Sequence, residues 1–439
     1  VNVSEPGSDQ VVDVVGIGFG PSNLALAVAL GEGGRKASEK PVTSVFFERK
    51  ERFTWHGGML IDGATMQISF LKDLVTLRDP RSPYTFLHYL HQVGRLPDFI
   101  NHKLLFPSRI EFHDYLCWVA ESFDHQVRYG ADVVDVRPVH SDGAVNHLDV
   151  VVRHEGPEGE RISVQRTRNV VVGTGLEAHM PAGAAPGDRV WHTSELLHKV
   201  AALKEEPRRI VVVGAGQSAA EATEYLHRRF EAAEICPVFT RYGYSPADDS
   251  PFANRIFDPL AVDDYYAATP EVKRMLLGYH RNTNYSVVDA ELIDELYRRV
   301  YQEKVQGRHR LKVFNASRLA EVKAGAEGVQ VTVESVISRC RTVLDADCVV
   351  YATGYRPTDV RRLIGGMAGL CKADEMGRLH ADRDYRVVTE GDVHCGIYLQ
   401  GATEHSHGIS SSLLSNTAVR AGEIADSIVA GVVGATASE

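Results

Sequence analysis

Cysteine is scarce and scattered. Six thiols occur among 439 residues: Cys117, Cys236, Cys340, Cys348, Cys371 and Cys395, with no Cys-x-x-Cys or ligand-like pair among them. That spacing excludes a thiol–disulfide relay and a cysteine-built metal centre, and it suits a reducing cytoplasm. Long apolar runs are missing too. None approaches the ~18–20 residues of a membrane span, and the polar, acidic start does not read as a signal peptide. Excess positive charge is also lacking. A net charge of −10 argues against nucleic acid or an anionic membrane as partner. The hydrophobic and charged fractions, 44% and 24%, are those of a globular chain. Its length suggests about two to three domains.

What is present is glycine in the right places. Val11 to Leu30 reads VVDVVGIGFGPSNLALAVAL: an apolar strand, a glycine turn, then a helical pattern. Such a unit turns backbone N–H groups and a helix N-terminus toward a pyrophosphate. Gly16 is expected to make the tight turn, Gly18 to admit the phosphates closely, and Gly20 with Pro21 to start the helix. A second apolar strand, Val42 to Phe47, ends in Glu48, placed for a ribose hydroxyl; the polar insert Gly31 to Lys40 accounts for the long gap. The pattern recurs at Arg209 to Arg229, RIVVVGAGQSAAEATEYLHRR, with the turn Gly214-Ala215-Gly216-Gln217-Ser218. The strand after it ends in Arg241 instead of an acid. Arginine pairs with a ribose 2′-phosphate that a carboxylate would repel, and Ser218 adds a hydroxyl. The first site therefore reads as FAD or NAD and the second as NADP(H), a flavin and a nicotinamide together.

Between and after these units lie polar residues set in apolar surroundings. Trp55 and His56, then Gln67 and Lys72, occupy a glycine-rich, aromatic stretch suited to a pocket wall. Gln67 can donate to a ring carbonyl or a peroxide. Lys72 is either a carboxylate anchor or a surface lysine covering apolar area. Arg109, at a helix start where the dipole disfavours a cation, is either an anion contact or one half of an ion pair. Ser82 to His102 reads as one amphipathic helix, and Val127–Val136 with Leu148–His154 as a hairpin. Two amide-bearing runs, Asp248 to Asn254 and Tyr279 to Ser286, interrupt the second unit as an insertion or as surface turns. Near the end, His405 and His407 lack a third ligand and are not read as a metal site. Ser410 and Leu413 precede a helix rich in small residues that could face a flavin ring.

GIGFGPSNLALA, WHGGMLIDGATMQISFLKDLVTLRDP, GAGQSAAE, NTNYSVVD, YATGYRP and HGISSSLLS together resemble the flavin-dependent N-hydroxylating monooxygenases of siderophore and peptide biosynthesis, specifically the L-ornithine N-hydroxylases. The resemblance spans nearly the whole chain. It implies an α/β fold with two Rossmann-like dinucleotide-binding domains, for FAD (8–180 and 350–439) and NADPH (181–241 and 300–349), and a smaller substrate-binding subdomain (242–299). It implies that Lys72 binds the α-carboxylate of L-ornithine and that Asn254 and Asn284 hold its head group. Gln67 would sit beside the flavin, Ser218 and Arg241 would hold the 2′-phosphate, and Arg109 would contact the NADP nucleotide. Dioxygen would add to reduced flavin as a C4a-hydroperoxide, which the free side-chain amine attacks, with no obligatory side-chain base. A homotetramer is implied as well. A lysine or diamine hydroxylase of the same plan and a flavin-binding redox sensor are the competing readings.

Overall fold

The computed structural model describes residues 11–37, 41–156, 159–325 and 328–436; the N-terminal ten residues and the end of the Gly31–Lys40 insert lie outside them. Two sheets carry the architecture. In the first, the strand Val12–Ile17 pairs in parallel with Ser44–Phe47 on one side and with the strand Gly159–Val172 on the other. Its apolar run is buried, as a strand covered on both faces requires.

Gly159–Val172 works as two strands in one. Its first part pairs antiparallel with Ala144–Gly156, whereas Asn169–Val172 pairs in parallel with Gly396–Leu399. The hairpin expected over Val127–Val136 and Leu148–His154 is formed by Ala131–Ser141 and Ala144–Gly156, while Val127–Arg128 is a separate strand paired in parallel with Phe46–Phe47. Asp142 and Gly143 turn it, both with positive φ (54° and 88°), the requirement of a type I′ turn.

The second sheet is all parallel, in the order Glu234–Val238, Arg209–Val213, Cys348–Tyr351, Val190–His192. Three antiparallel strands, Ser317–Ala324, Val329–Ser335 and Arg341–Ala346, lead into Cys348–Tyr351. The helix Ala290–Val305 sends Leu296 into the core formed by Ala219, Leu226 and Ile235. The expected borders at 299/300 and 349/350 therefore fall inside elements of the second unit. The chain crosses between units twice, and the crossings lie side by side as the antiparallel pair Leu176–Ala178 and Tyr355–Pro357.

Local chemistry explains the helix ends. Ser82–His102 is not one helix but two, Phe86–Gln92 and Leu96–His102. Gly94 between them adopts φ 73°, and Pro97 suits a first turn, not an interior. Thr85 and Ser108 cap their helices by accepting N–H bonds from His88 and Glu111. The C-terminal helix Thr417–Thr436 packs Ala421, Ile424 and Ile428 into the same core as Leu24 and Val28 of the helix Pro21–Ala37.

His405 and His407 are structural. His405 bonds the Leu379 carbonyl, and His407 stacks on Tyr385 at 4.2 Å and donates from Nε2 to the Arg383 carbonyl. Among the described residues there is no cluster of metal-ligating side chains and no helix long and apolar enough to cross a membrane. Burial, reinforced by the nearby Arg383 charge, pushes the His407 pKa down to about 4. The unfolded chain protonates this imidazole below its ordinary pKa, while the folded one stays neutral until about 4. Stability is thus lost progressively as pH falls through that window, by roughly 3 kcal/mol for this group. Thermal melts between pH 7 and 4 at fixed flavin loading should show the loss, and His407→Phe, which keeps the stacking, should flatten it.

Candidate active site

The first glycine turn uses its glycines differently from the sequence expectation. Gly16 lies within the strand, where a Cβ would meet the Phe46 ring at 2.2 Å, so its role is close strand packing. The turn itself falls to Gly18, with φ +82° and the Gly173 carbonyl 2.8 Å from where a Cβ would be. Gly20, just before Pro21 opens the helix, faces open space, which fits a phosphate beside the helix N-terminus. Glu48 closes the turn by accepting the Phe19 N–H at 2.7 Å and the Lys50 N–H at 3.0 Å. Asn23, absent from the sequence reading, is fully buried and donates to the Gly18 carbonyl at 2.7 Å and the Ile17 carbonyl at 3.2 Å. Its signal was only a polar residue on the buried face of an otherwise apolar helix.

The second turn repeats the device. Gly214 has φ +142°, with the Ala352 carbonyl 2.4 Å from a would-be Cβ, and Gly216 stands as close to Ser286 as a Cβ could tolerate, at 3.3 Å. Past the strand Glu234–Val238, Arg241 donates to the Ser286 carbonyl at 2.7 Å. It lines a cleft of about 290 Å³ with Ser245, Arg281, Asn282 and Tyr285. Two guanidinium groups and a hydroxyl suit a phosphate. Arg281 and Ser245 were missed in the sequence, because only the folding back of the insertion brings Arg281 to the strand end. Ser218 sits in the first turn of the helix Gln217–Arg229, half-buried, outside the residues lining this cleft.

The two units meet through a polar network. Arg109 forms a bidentate pair with Glu221, at 2.7 and 2.9 Å, and donates to the Met59 carbonyl at 2.9 Å. Both side chains are nearly buried. Arg109 is thus one half of an ion pair, an inner one joining the units instead of a surface one. Gln217 Nε2 reaches Glu221 at 3.1 Å and Asp289 at 2.9 Å, and Gln67 Nε2 donates to Asp289 at 2.7 Å. The donor expected of Gln67 is thus given to Asp289. Burial and the neighbouring Glu221 charge push the Asp289 carboxyl up, against the lowering effect of its two amide partners. Asp289 occupies the N-cap of Ala290–Val305 yet makes no cap bond, a contact typically worth ~1 kcal/mol.

The insertion supplies the third wall. It begins with a short 3₁₀ helix, Ala253–Phe257, which packs against Ile409–Ser412, and continues as the helices Pro259–Ala267 and Pro270–Tyr279. The half-buried Lys72 ammonium lies 5.8 Å from the Phe257 ring centre. Partial burial lowers its pKa, opposed by Asp258. Asn254, in the same 3₁₀ helix, donates its amide to the Asp249 carbonyl at 2.7 Å. Lys72 and Asn254 therefore share one corner. Asn284 is half-buried, beside Tyr285, whose hydroxyl bonds Glu404 of the C-terminal segment.

The remaining expected residues lie outside the lining of the Arg241 cleft. Trp55 packs edge-on to His56 at 4.5 Å, and His56 faces the Tyr355 ring at 6.3 Å. His56 has φ 53° and an edge open to solvent; surrounding protein, then the Arg109 and Lys50 charges, lower its pKa and keep the ring neutral. Ser410 is buried, its hydroxyl accepting from Asn416, while Leu413 is half-buried. Behind them the fully buried Arg420 donates to the Ser411 carbonyl at 2.8 Å and to Gln400 at 3.0 Å. Gln400 in turn donates to the Ser22 carbonyl in the first helix.

These features fit two dinucleotides and a small zwitterion, and known proteins agree. The model of the family described as L-lysine 6-monooxygenase/L-ornithine 5-monooxygenase matches residues 10–357. An L-ornithine N(5)-monooxygenase of Burkholderia cepacia is 42% identical over 407 residues, 91% of this chain and 90% of that one. The solved ornithine N-hydroxylase of Kutzneria sp. 744, with reduced FAD, NADP+ and L-ornithine, superposes with a TM-score of 0.91 at 46% identity, over 96% of this chain and 99% of that one. An L-lysine 6-monooxygenase of Pseudomonas syringae superposes less well, with a TM-score of 0.83 at 34% identity, over 96% and 100% of the two chains. The α/β fold, the paired glycine turns and these likenesses place the chain in the family of flavin-dependent lysine and ornithine N-monooxygenases.

Proposed function

We propose that this enzyme hydroxylates the side-chain (δ) amine of L-ornithine, using FAD, NADPH and dioxygen. Bound flavin, once reduced by NADPH, supplies the activation of dioxygen, so that one oxygen goes to the amine and the other leaves as water. The first unit, with Gly18, Gly20, Pro21 and Glu48, is assigned to FAD; the second, with Gly214, Gly216, Gln217 and Ser218, is assigned to NADPH. The observation that carries the substrate assignment is Lys72. Its half-buried ammonium has only the Phe257 ring and the Asp258 charge as partners among the described residues, beside the insertion and where the units meet. A zwitterionic head group needs one cation and a few neutral donors and acceptors, which Lys72, Asn254 and Asn284 provide. The amine lone pair is itself the nucleophile, so the chain's task is to hold it beside the flavin near Gln67 and Asn284 and to exclude water. Trp55, the neutral His56 and Tyr355 suit that wall.

Two further assignments complete the proposal. Ile100, Leu105 and Phe106 are 63%, 57% and 45% exposed in one stretch, which supports a homo-oligomer, a tetramer by family resemblance, to be read from light scattering. Six free thiols suit a cytoplasmic site of action.

Hydroxylamine formation from L-ornithine, L-lysine and putrescine, with NADPH oxidation followed alongside, tests the function. Product from ornithine alone is expected; product from lysine or putrescine instead would move the substrate, and NADPH oxidation yielding only peroxide would remove it. Arg241→Ala should raise the KM for NADPH by roughly tenfold or more, as the loss of a charge-assisted bond predicts, and leave that for NADH unchanged. Equal effects on both nucleotides would place the 2′-phosphate elsewhere.

A further inference from the structure

Asp289 heads a 16-residue helix but turns its carboxylate away from that helix's free N–H groups. One oxygen, Oδ2, accepts from Gln67 at 2.7 Å and from Gln217 at 2.9 Å, while the Asp289 N–H donates to Gln217 Oε1 at 2.9 Å. An ionised carboxylate can only accept, so Gln67 must turn its NH₂ toward Asp289, and its carbonyl oxygen is left free of that contact. Gln67 is exposed where the units meet, and Oε1 is the atom it is left to offer. The three residues come from three places: the loop after Glu48, the second glycine turn and the end of the insertion.

We propose that Asp289 is a positioning residue for the hydroxylation. It presents the Gln67 carbonyl oxygen to the cleft as an acceptor for an N–H or O–H of the reacting pair, and couples that orientation to the second glycine turn through Gln217. The proposal rests on the monooxygenase reading above. The charges around the carboxylate are Glu221 on the helix Gln217–Arg229 and Glu291 on its own helix, with Arg109 of the first unit reaching it through Glu221. Protonation would turn Asp289 into a donor and release the amide.

The test uses FAD-loaded wild type, Asp289→Ala, Asp289→Asn, Gln67→Ala and the double alanine variant, with ornithine and NADPH in excess. Hydroxylated product per NADPH consumed is measured across pH, and the thermal shift produced by NADP+ gives a readout independent of turnover. D289A and Q67A should each lower the product ratio by roughly 3- to 10-fold, the loss of one hydrogen bond, and the double variant should be no worse than either. The NADP+ shift should weaken in D289A, which frees Gln217, and persist in Q67A. The wild-type ratio should fall more steeply on acidification than that of D289N, whose remaining fall is protonation of the ornithine amine itself, so D289N carries the test even if D289A folds poorly. Additive losses, a normal ratio in D289A beside a lowered one in Q67A, or the same pH slope in D289N would overturn the role. Absence of hydroxylamine from wild type would overturn the monooxygenase reading and this role with it.

Discussion

Replacing Lys72 with alanine should raise the KM for L-ornithine by roughly 10- to 100-fold and leave NADPH oxidation intact. A hydrogen bond to a charged group contributes about 1.5–3 kcal/mol, and each 1.4 kcal/mol is a factor of about ten. The lysine is already partly desolvated, and its visible partners, an aromatic ring at 5.8 Å and the more distant Asp258, are weak ones. A bound carboxylate would therefore replace little and gain a charge-assisted contact in a region of reduced dielectric. NADPH oxidation should persist because Lys72 lies against Phe257, at the start of the insertion, and is not among the residues lining the cleft of Arg241 and Arg281. Steady-state kinetics at saturating NADPH decide the matter. An unchanged KM would mean that the ammonium only covers Phe257, and the head group would have to be sought elsewhere.

Glu221→Ala should be the most damaging single change for stability. Its carboxylate is 5% exposed and holds Arg109, 12% exposed, in two parallel bonds across the junction of the units. Removing one partner of such a pair strands the other charge, at a cost of about 3–5 kcal/mol. The first thermal transition should fall by on the order of 10 °C. Replacing both residues by leucine should recover much of that loss, because an apolar pair of similar size avoids the stranded charge. If E221A melts like wild type, water reaches the pair and it contributes nothing to holding the units together.

The sequence revealed what depends on local order. Both glycine turns were legible because the glycines, the apolar strand before them and the helix after them are adjacent in the chain. Even there the division of labour was not. Gly18 makes the turn expected of Gly16, and Gly16 packs against its neighbour instead, because the Phe46 ring comes from an adjacent strand and the Gly173 carbonyl from the end of another. The polar run Gly159 to Arg168 hid the first part of a 14-residue strand, since an antiparallel edge needs no apolar face. Arg109 was recognised as ill placed at a helix start, but its partner lies 112 residues away and no spacing rule reaches that far. Asp289 was not singled out at all; its partners, Gln67 and Gln217, are visible only when three distant segments meet. Arg420, buried behind the Ser410–Ser412 turn, gave no sign in a helix whose other inward positions are small or apolar.

The two side-by-side crossings have a consequence for how the chain is made. The second unit is an insertion whose ends meet at Ala178 and Tyr355, so the first sheet is interrupted in time as well as in sequence. Asn169–Val172 emerges with one edge paired to Val12–Ile17, while its other edge, beyond the end of the hairpin pairing, stays bare until Gly396–Leu399 arrives, roughly 220 residues later. At ribosomal rates of about 5–20 residues per second the bare edge waits on the order of 10–45 s. The second sheet, complete once Cys348–Tyr351 is out, can close during that wait. The nascent first unit therefore carries an exposed apolar strand through most of its synthesis, and this edge is where premature pairing with another chain would begin.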